Sequence, residues 1–255
     1  MSMKMHVLSG GRLRMRKSIY FPDVAKDATI EMPVSCILLR HAKGNVLFDT
    51  GCHPSAATDP AGRWGPLAKV MTPIMAPDAN VLNGLKAVGV EPDDINFVVC
   101  SHLHPDHCGC NESFRKATVV VHALELAAAK EPGATNAGYL PADWDHPMPM
   151  QIVDKETDLF GDGRIKLIPL PGHTPGTMGA LVQLDRDGQY LLASDAVGLR
   201  ANLDDDFVPK NTWNVEQCRS SFAEVRRLEK AGAKVICGHD LEQWESLRKG
   251  ADAYE

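Results

Sequence analysis

The sequence predicts one α/β sandwich, two β-sheets with helices packed outside them. Three observations lead there. Short apolar runs come first as hairpins and then alternate with helical patterns, in both halves of the chain. No linker divides the chain and no short repeat recurs in it. Its 255 residues are enough to bury a full core, so residues 1–255 are read as a single domain.

Met5 to Leu8 and Leu13 to Met15, separated by Gly10-Gly11, predict a first hairpin. Val34 to Leu39 and Asn45 to Phe48, on either side of His41-Ala42-Lys43-Gly44, predict a second, which Asp49-Thr50-Gly51 ends. Residues 52–78 are irregular and Pro-rich, with Trp64, Leu67, Val70, Met71, Ile74 and Met75 as apolar content. A loop of that length is more often functional or interfacial than idle, and its apolar content makes a homodimer an open expectation. Asn80 to Val88 is a helix by the spacing of Val81, Leu82, Leu85 and Val88, closed by Gly89.

The run Ile95 to Cys100 is a strand, and Thr118 to His122, opened by four β-branched residues, is another. A helix follows to about Lys130, and residues 131–150, with four prolines, form a second long loop. Strands are expected at Ile165 to Leu167, Ala180 to Leu184 and Tyr190 to Ala193. Val215 to Ala231 is the strongest helix, with Val215, Cys218, Phe222, Val225 and Leu228 at helical spacing, Asn214 as N-cap and Gly232 as stop. Lys234 to Cys237 is a late strand and Leu241 to Arg248 a last helix.

Composition is that of an ordinary globular protein, 44% hydrophobic and 24% charged. The formal charge of −6 lacks the basic stripe of a nucleic-acid binder. No apolar run has the length of a membrane span, and the first fifteen residues lack the apolar core of a signal peptide. Seven scattered cysteines, several inside strand-like runs, read as reduced thiols, and the expected location is the cytoplasm. Cys108-Gly109-Cys110 invites a zinc-knuckle reading, but no second pair stands at finger spacing.

The chemistry concentrates in Ser101-His102-Leu103-His104-Pro105-Asp106-His107, directly after a predicted strand. On a helix His102 and His104 would point to opposite sides; on an extended chain they can meet one ion. Asp106 and His107 must then face the same cavity after a turn. Four ligands from one segment exceed what an open catalytic zinc needs, since such a site takes three and a water. Two metals side by side are therefore expected. A His-rich surface loop is the plain alternative, but three histidines and an aspartate in six residues are hard to assign to chance.

Three more apolar runs end on a potential ligand. Ile168 to Gly172 leads to His173, Leu191 to Ser194 to Asp195, and Val235 to Gly238 to His239. Singly each has a structural reading, as turn residue, helix N-cap or surface histidine. Together with the first motif they make five histidines and two aspartates, enough for two metals with one carboxylate between them. Asp49 reads either as a turn former or as a carboxylate orienting a metal-bound histidine. His122, at the end of an apolar run, reads as a hydrogen-bonded structural histidine.

The set His102-x-His104-x-Asp106-His107, then His173, Asp195 and His239, resembles the metallo-β-lactamase superfamily over nearly the whole chain. Asp49-Thr50-Gly51 resembles that family's early Asp-Thr-Gly segment. The resemblance implies an αββα sandwich of two mixed β-sheets flanked by helices. It implies two Zn2+ per chain at one sheet edge, with iron, manganese or cobalt as other metals such a site takes. By position, His102, His104 and His173 would hold the first metal. Asp106, His107 and His239 would hold the second, and Asp195 would bridge.

Two zinc ions would supply a bridging hydroxide near neutral pH and polarise a carbonyl, with Asp106 carrying the proton to the leaving group. Within the superfamily the chain is most similar to N-acyl homoserine lactone lactonases, which implies a small-molecule lactone substrate opened by hydrolysis. Gly198 stands where those enzymes often carry a carbonyl-binding tyrosine, and Pro105 where an aromatic is common. Tyr20, Phe21, Trp64, Met71 and Trp144 are candidates for an apolar substrate wall, or equally for core. The rival readings are a glyoxalase II-like thioesterase, a phosphodiesterase or nuclease, and a di-iron redox module. The first would add a basic C-terminal region, where this chain stops about sixteen residues past His239. The acidic charge counts against a nuclease, and di-iron relatives usually place Glu where His104 stands.

Overall fold

The computed structural model describes residues 2–255 and has the expected four layers, helices on the outer faces of two packed sheets. The first sheet begins with β1 (Lys4–Arg16), β2 (Thr29–His41) and β3 (Gly44–Phe48), each antiparallel to the next. Short helical turns and α1 (Pro60–Trp64) follow, then β4 (Thr72–Pro73), which pairs with β1, and α2 (Val81–Ala87). Asn80 caps α2 by accepting from the Asn83 amide. Strand β5 (Ile95–Val99), α3 (Pro105–Cys108), β6 (Thr118–His122), α4 (Ala123–Ala129), α5 (Pro141–Trp144) and β7 (Met150–Val153) complete the first half. β3, β5, β6 and β7 run parallel, giving the order β4-β1-β2-β3-β5-β6-β7.

The second sheet is built from β8 (Thr157–Asp158), β9 (Ile165–Pro169), β10 (Met178–Gln183), β11 (Gln189–Ser194) and β12 (Lys234–Cys237). Its order is β12-β11-β10-β9-β8, antiparallel except for the β11–β12 pair. Between β11 and β12 lie α6 (Arg200–Asp204) and α7 (Val215–Lys230), and α8 (Leu241–Ser246) follows β12.

Strand periodicity explains the layering, because successive side chains point to opposite faces. On β2, Ile37 and Leu39 face the other sheet while Cys36 and Leu38 join the core beneath α2. On β11, Leu192 faces inward while Leu191 and Ala193 meet Cys218, Phe222 and Val225 of α7. α7 runs where the pattern places it, except that Val215 at its start is about half exposed.

The first predicted hairpin is not one. Gly10-Gly11 lies inside the continuous strand β1, where the register with β2 shifts between Ser9 and Gly11. A glycine pair reads locally as a turn; here it is a bulge that bends a long strand. Strands β7 and β8 and helix α6 were not expected, being too short to show a period. Among the described residues no helix is long and apolar enough to cross a membrane. All seven cysteines are free and buried, and the thiol of Cys110 points to the Cys52 carbonyl rather than to a metal cluster.

Candidate metal centre

The seven expected ligands come from four strand ends. His102 follows β5, His173 follows β9, Asp195 follows β11 and His239 follows β12. These strands point the same way, so their carboxyl ends meet at one edge of the sandwich. Asp49 arrives there too, just past β3. The Met178 amide donates to the Ser101 carbonyl, joining the two sheets at that edge.

The strand pairing of β5 stops at Val99, and the chain turns so that His104 sits at the N-cap position of α3. Pro105 takes the first helical position, where its fixed φ suits the helix and its missing N–H costs nothing. That single turn of helix brings Asp106 and His107 round to face the histidines before them. On the other sheet, Gly172 adopts φ +142, and a side chain there would meet the Cys218 backbone at 2.4 Å. Gly238 has a different reason: a Cβ would lie 2.6 Å from an Asp195 oxygen.

Three groups of ligand atoms form, each with all its atoms within 4.8 Å of one another: His102, His104 and His173; His102, His107 and Asp195; Asp106, His107 and His239. Asp195 lies between them. Its Oδ2 is 3.4 Å from His173 Nε2, while its Oδ1 is 2.9 Å from His239 Nε2 and 3.4 Å from His107 Nε2. Asp106 Oδ2 stands 3.5 Å from His107 Nε2 and 3.6 Å from His239 Nε2.

Outer partners decide which ring nitrogen turns inward. His107 Nδ1 is 2.9 Å from Asp49 Oδ2, His239 Nδ1 donates to the Pro33 carbonyl at 2.9 Å, and His104 Nε2 donates to the Ala137 carbonyl at 3.0 Å. Asp49 is held in turn by the Ser101 amide and hydroxyl, at 2.7 and 2.8 Å. It has φ +60, and Ser194, directly before Asp195, has φ +47. Non-glycine residues with such backbones are costly, and two of the four among the described residues stand here.

The donors fit a divalent metal. His102 Nε2 is buried with no hydrogen-bond partner, and buried polar atoms are rarely left so. Burial, then the neighbouring imidazoles, hold His102 well below the ordinary histidine range, and burial takes His173 down to about 4. Both are neutral donors at pH 7. Burial opposes the charge on His107, but Asp106, Asp195 and Asp49 overcome it and raise it well above the ordinary value. Burial acts to raise Asp106, yet His107 and His239 hold its carboxyl below the usual range, so it is ionised.

A cavity of about 640 Å³ opens directly onto His104, Asp106 and His173. Its walls are largely apolar: Leu67, Val70 and Met71 from the first long loop, Ala134 and Tyr139 from the second, and Trp213 before α7. Of the expected wall residues only Met71 lines it. Trp64 and Trp144 are 1% and 5% exposed and pack in separate cores. Phe21 packs beside Tyr20 against the Trp64 core, which also takes in Met71 at its edge. The Tyr20 hydroxyl touches Met15 and Asn211, which do line the cavity, and its ring is 3.9 Å from where a Gly198 side chain would begin. His122 accepts from the Leu124 amide as the N-cap of α4, outside the centre. Glu125 went unnoticed in the sequence, although a carboxylate beside Leu126 and Ala129 on the buried face of an Ala-rich helix was a signal.

The sequence pattern of the metallo-beta-lactamase superfamily matches residues 29–239. An N-acyl homoserine lactonase, AttM, of Azorhizobium caulinodans is 33% identical over 259 residues, covering 99% of this chain and 98% of its own. The N-acyl homoserine lactonase AiiA of Bacillus thuringiensis subsp. kurstaki is 28% identical over 247 residues, covering 96% of each chain. Among solved structures, an N-acyl homoserine lactone hydrolase with N-hexanoyl-L-homoserine bound at its catalytic metal centre superposes with a TM-score of 0.89. It is 27% identical and the match covers 99% of both chains.

Proposed function

The chain belongs to the metallo-beta-lactamase superfamily, and from that premise we propose that it opens the ring of an N-acyl homoserine lactone by hydrolysis. All of residues 1–255 act as one hydrolase domain. The observation that carries the reading is the cavity of about 640 Å³, apolar along its walls and ending on His104, Asp106 and His173. A polar ring to be cleaved and an apolar chain to be held need such a pocket. The lactonase relatives that match over nearly the whole chain support the same substrate class.

His102, His104 and His173 would hold one zinc and Asp106, His107 and His239 a second, with Asp195 lying between the two clusters. Bound zinc lowers the pKa of water and polarises a carbonyl oxygen, which suits ester opening near neutral pH. The ionised Asp106, on the cavity floor, accepts the proton from the attacking water and returns it to the leaving ring oxygen. Tyr20, whose ring packs towards Gly198, braces Met15 and Asn211 of the cavity wall from behind through its hydroxyl. Met71, Val70 and Trp213 exclude water along the acyl chain.

The product is an acid that ionises at neutral pH, so each turnover releases a proton. A panel of lactones followed with a pH indicator is expected to show turnover of acyl-homoserine lactones. Metal analysis is expected to find about two zinc per chain, as two complete ligand clusters require. His104→Ala should lose the zinc of the first cluster and activity, and Asp195→Asn, between the two clusters, should lose metal and activity. Turnover of S-lactoylglutathione with none of any lactone would overturn the assignment.

A further inference from the structure

We propose that Glu125 is a positioning residue that locks the loop bearing His102 and His104 to the loop bearing His173, and thereby sets the first ligand cluster; this rests on the metal reading above. Glu125 lies in the first turn of α4, is fully buried, and lines neither the cavity nor the ligand clusters. A buried carboxylate persists only where donors meet it. Besides the Tyr139 hydroxyl, its donors come from the two loops. Oε1 accepts from the Leu103 amide at 2.9 Å, and Leu103 stands between His102 and His104. Oε2 accepts from the Thr174 hydroxyl at 2.7 Å and the Gly176 amide at 3.0 Å, just past His173.

The two arms therefore join β5's exit to β9's exit, across the gap between the sheets. The rings they carry meet: His104 Nδ1 is 3.1 Å from His173 Nε2. Gly176 belongs to the same device, since a side chain there would strike the Glu125 backbone at 2.3 Å. Nothing equivalent ties Asp106 or His107 to Glu125; their loop is braced through Asp49 and the Thr50–His107 backbone bond.

The arrangement accepts hydrogen bonds through both oxygens and donates none. Glu125→Gln keeps the volume but must turn an amide NH2 towards either the Leu103 or the Gly176 N–H. One arm is then broken while the core stays filled. Zinc affinity is measured by chelator competition on Glu125→Gln in three backgrounds: otherwise wild type, Asp106→Ala and His104→Ala. The second background retains the first cluster, and the third retains the other.

Glu125→Gln is expected to weaken zinc at the first cluster at least tenfold, the scale of lost outer-shell support. It should leave the site remaining in His104→Ala within about twofold of its own control. Equal weakening of both sites would mean general loosening and would overturn the proposal, as would wild-type affinity at both. If Glu125→Gln does not fold, Thr174→Val decides. It removes one donor and leaves the carboxylate, so weakening confined to the first cluster supports the clamp and unchanged affinity refutes it. A wild-type protein that binds no zinc overturns the metal reading itself, and the clamp with it. Loss of lactone turnover with both zinc sites intact counts against the substrate assignment alone.

Discussion

Asp49 shows how much is decided at the scale of one residue. Sequence offers two readings of an aspartate ending a strand, turn former or orienting carboxylate. Its two oxygens meet Ser101 and His107 while its backbone sits at φ +60. The turn and the carboxylate serve one purpose, holding His107 Nδ1 so that Nε2 turns inward. Asp49→Asn keeps the size and removes the charge that supports the imidazole. Zinc affinity should then fall about 10- to 100-fold in chelator competition; an unchanged affinity would reduce Asp49 to its turn. The candidate ligands were legible at this scale because metal binding needs particular donor atoms, and few residue types carry them. The substrate wall was not. Trp64 and Trp144 are chemically as fit for a pocket as Met71, and only packing sends them to the core.

Elements place these residues, and their ends matter more than their lengths. The pattern of an apolar run followed by a ligand was readable four times because a strand and its exit are local in sequence. The bulged β1 was misread for the complementary reason. Whether Gly10-Gly11 turns or bends depends on the partner β2, where Gly11 meets Val34, 23 positions further on, and Ser9 meets Ser35, 26 further on. At the exit of β9, Gly172 needs both its φ of +142 and its missing side chain, because α7 packs against it at Cys218. Gly172→Ala should cost more than about 2 kcal/mol, as strain and overpacking combine. A thermal melt and a zinc titration check it: Tm falls and affinity at the His173 cluster falls with it. A melt matching wild type would show that α7 yields without moving His173.

The whole molecule gathers ligands from both sheets, from His102 to His239, with Asp49 behind them. Metal bound across the sandwich edge must therefore stabilise the folded chain over the unfolded one. At a free zinc concentration of one hundred times Kd the gain is about 2.7 kcal/mol. For a chain of this size that corresponds to a Tm lowered by about 5–10 °C on chelation. Calorimetry with and without chelator should show this fall, and added zinc should reverse it where magnesium does not. A melt indifferent to chelation would mean that the edge holds its shape without ions.

The sequence by itself determined the layered fold, the strand ends and the seven candidate ligand residues. Each of these is written in local periodicity or in the rarity of donor side chains. Tertiary structure alone decided which nitrogen of each ring faces inward, which loops wall the cavity, that Tyr20 fills towards Gly198, and that Glu125 ties the two sheets together. Those features depend on groups far apart in the chain approaching within hydrogen-bond or van der Waals reach, and a single sequence has no local pattern that records such distances.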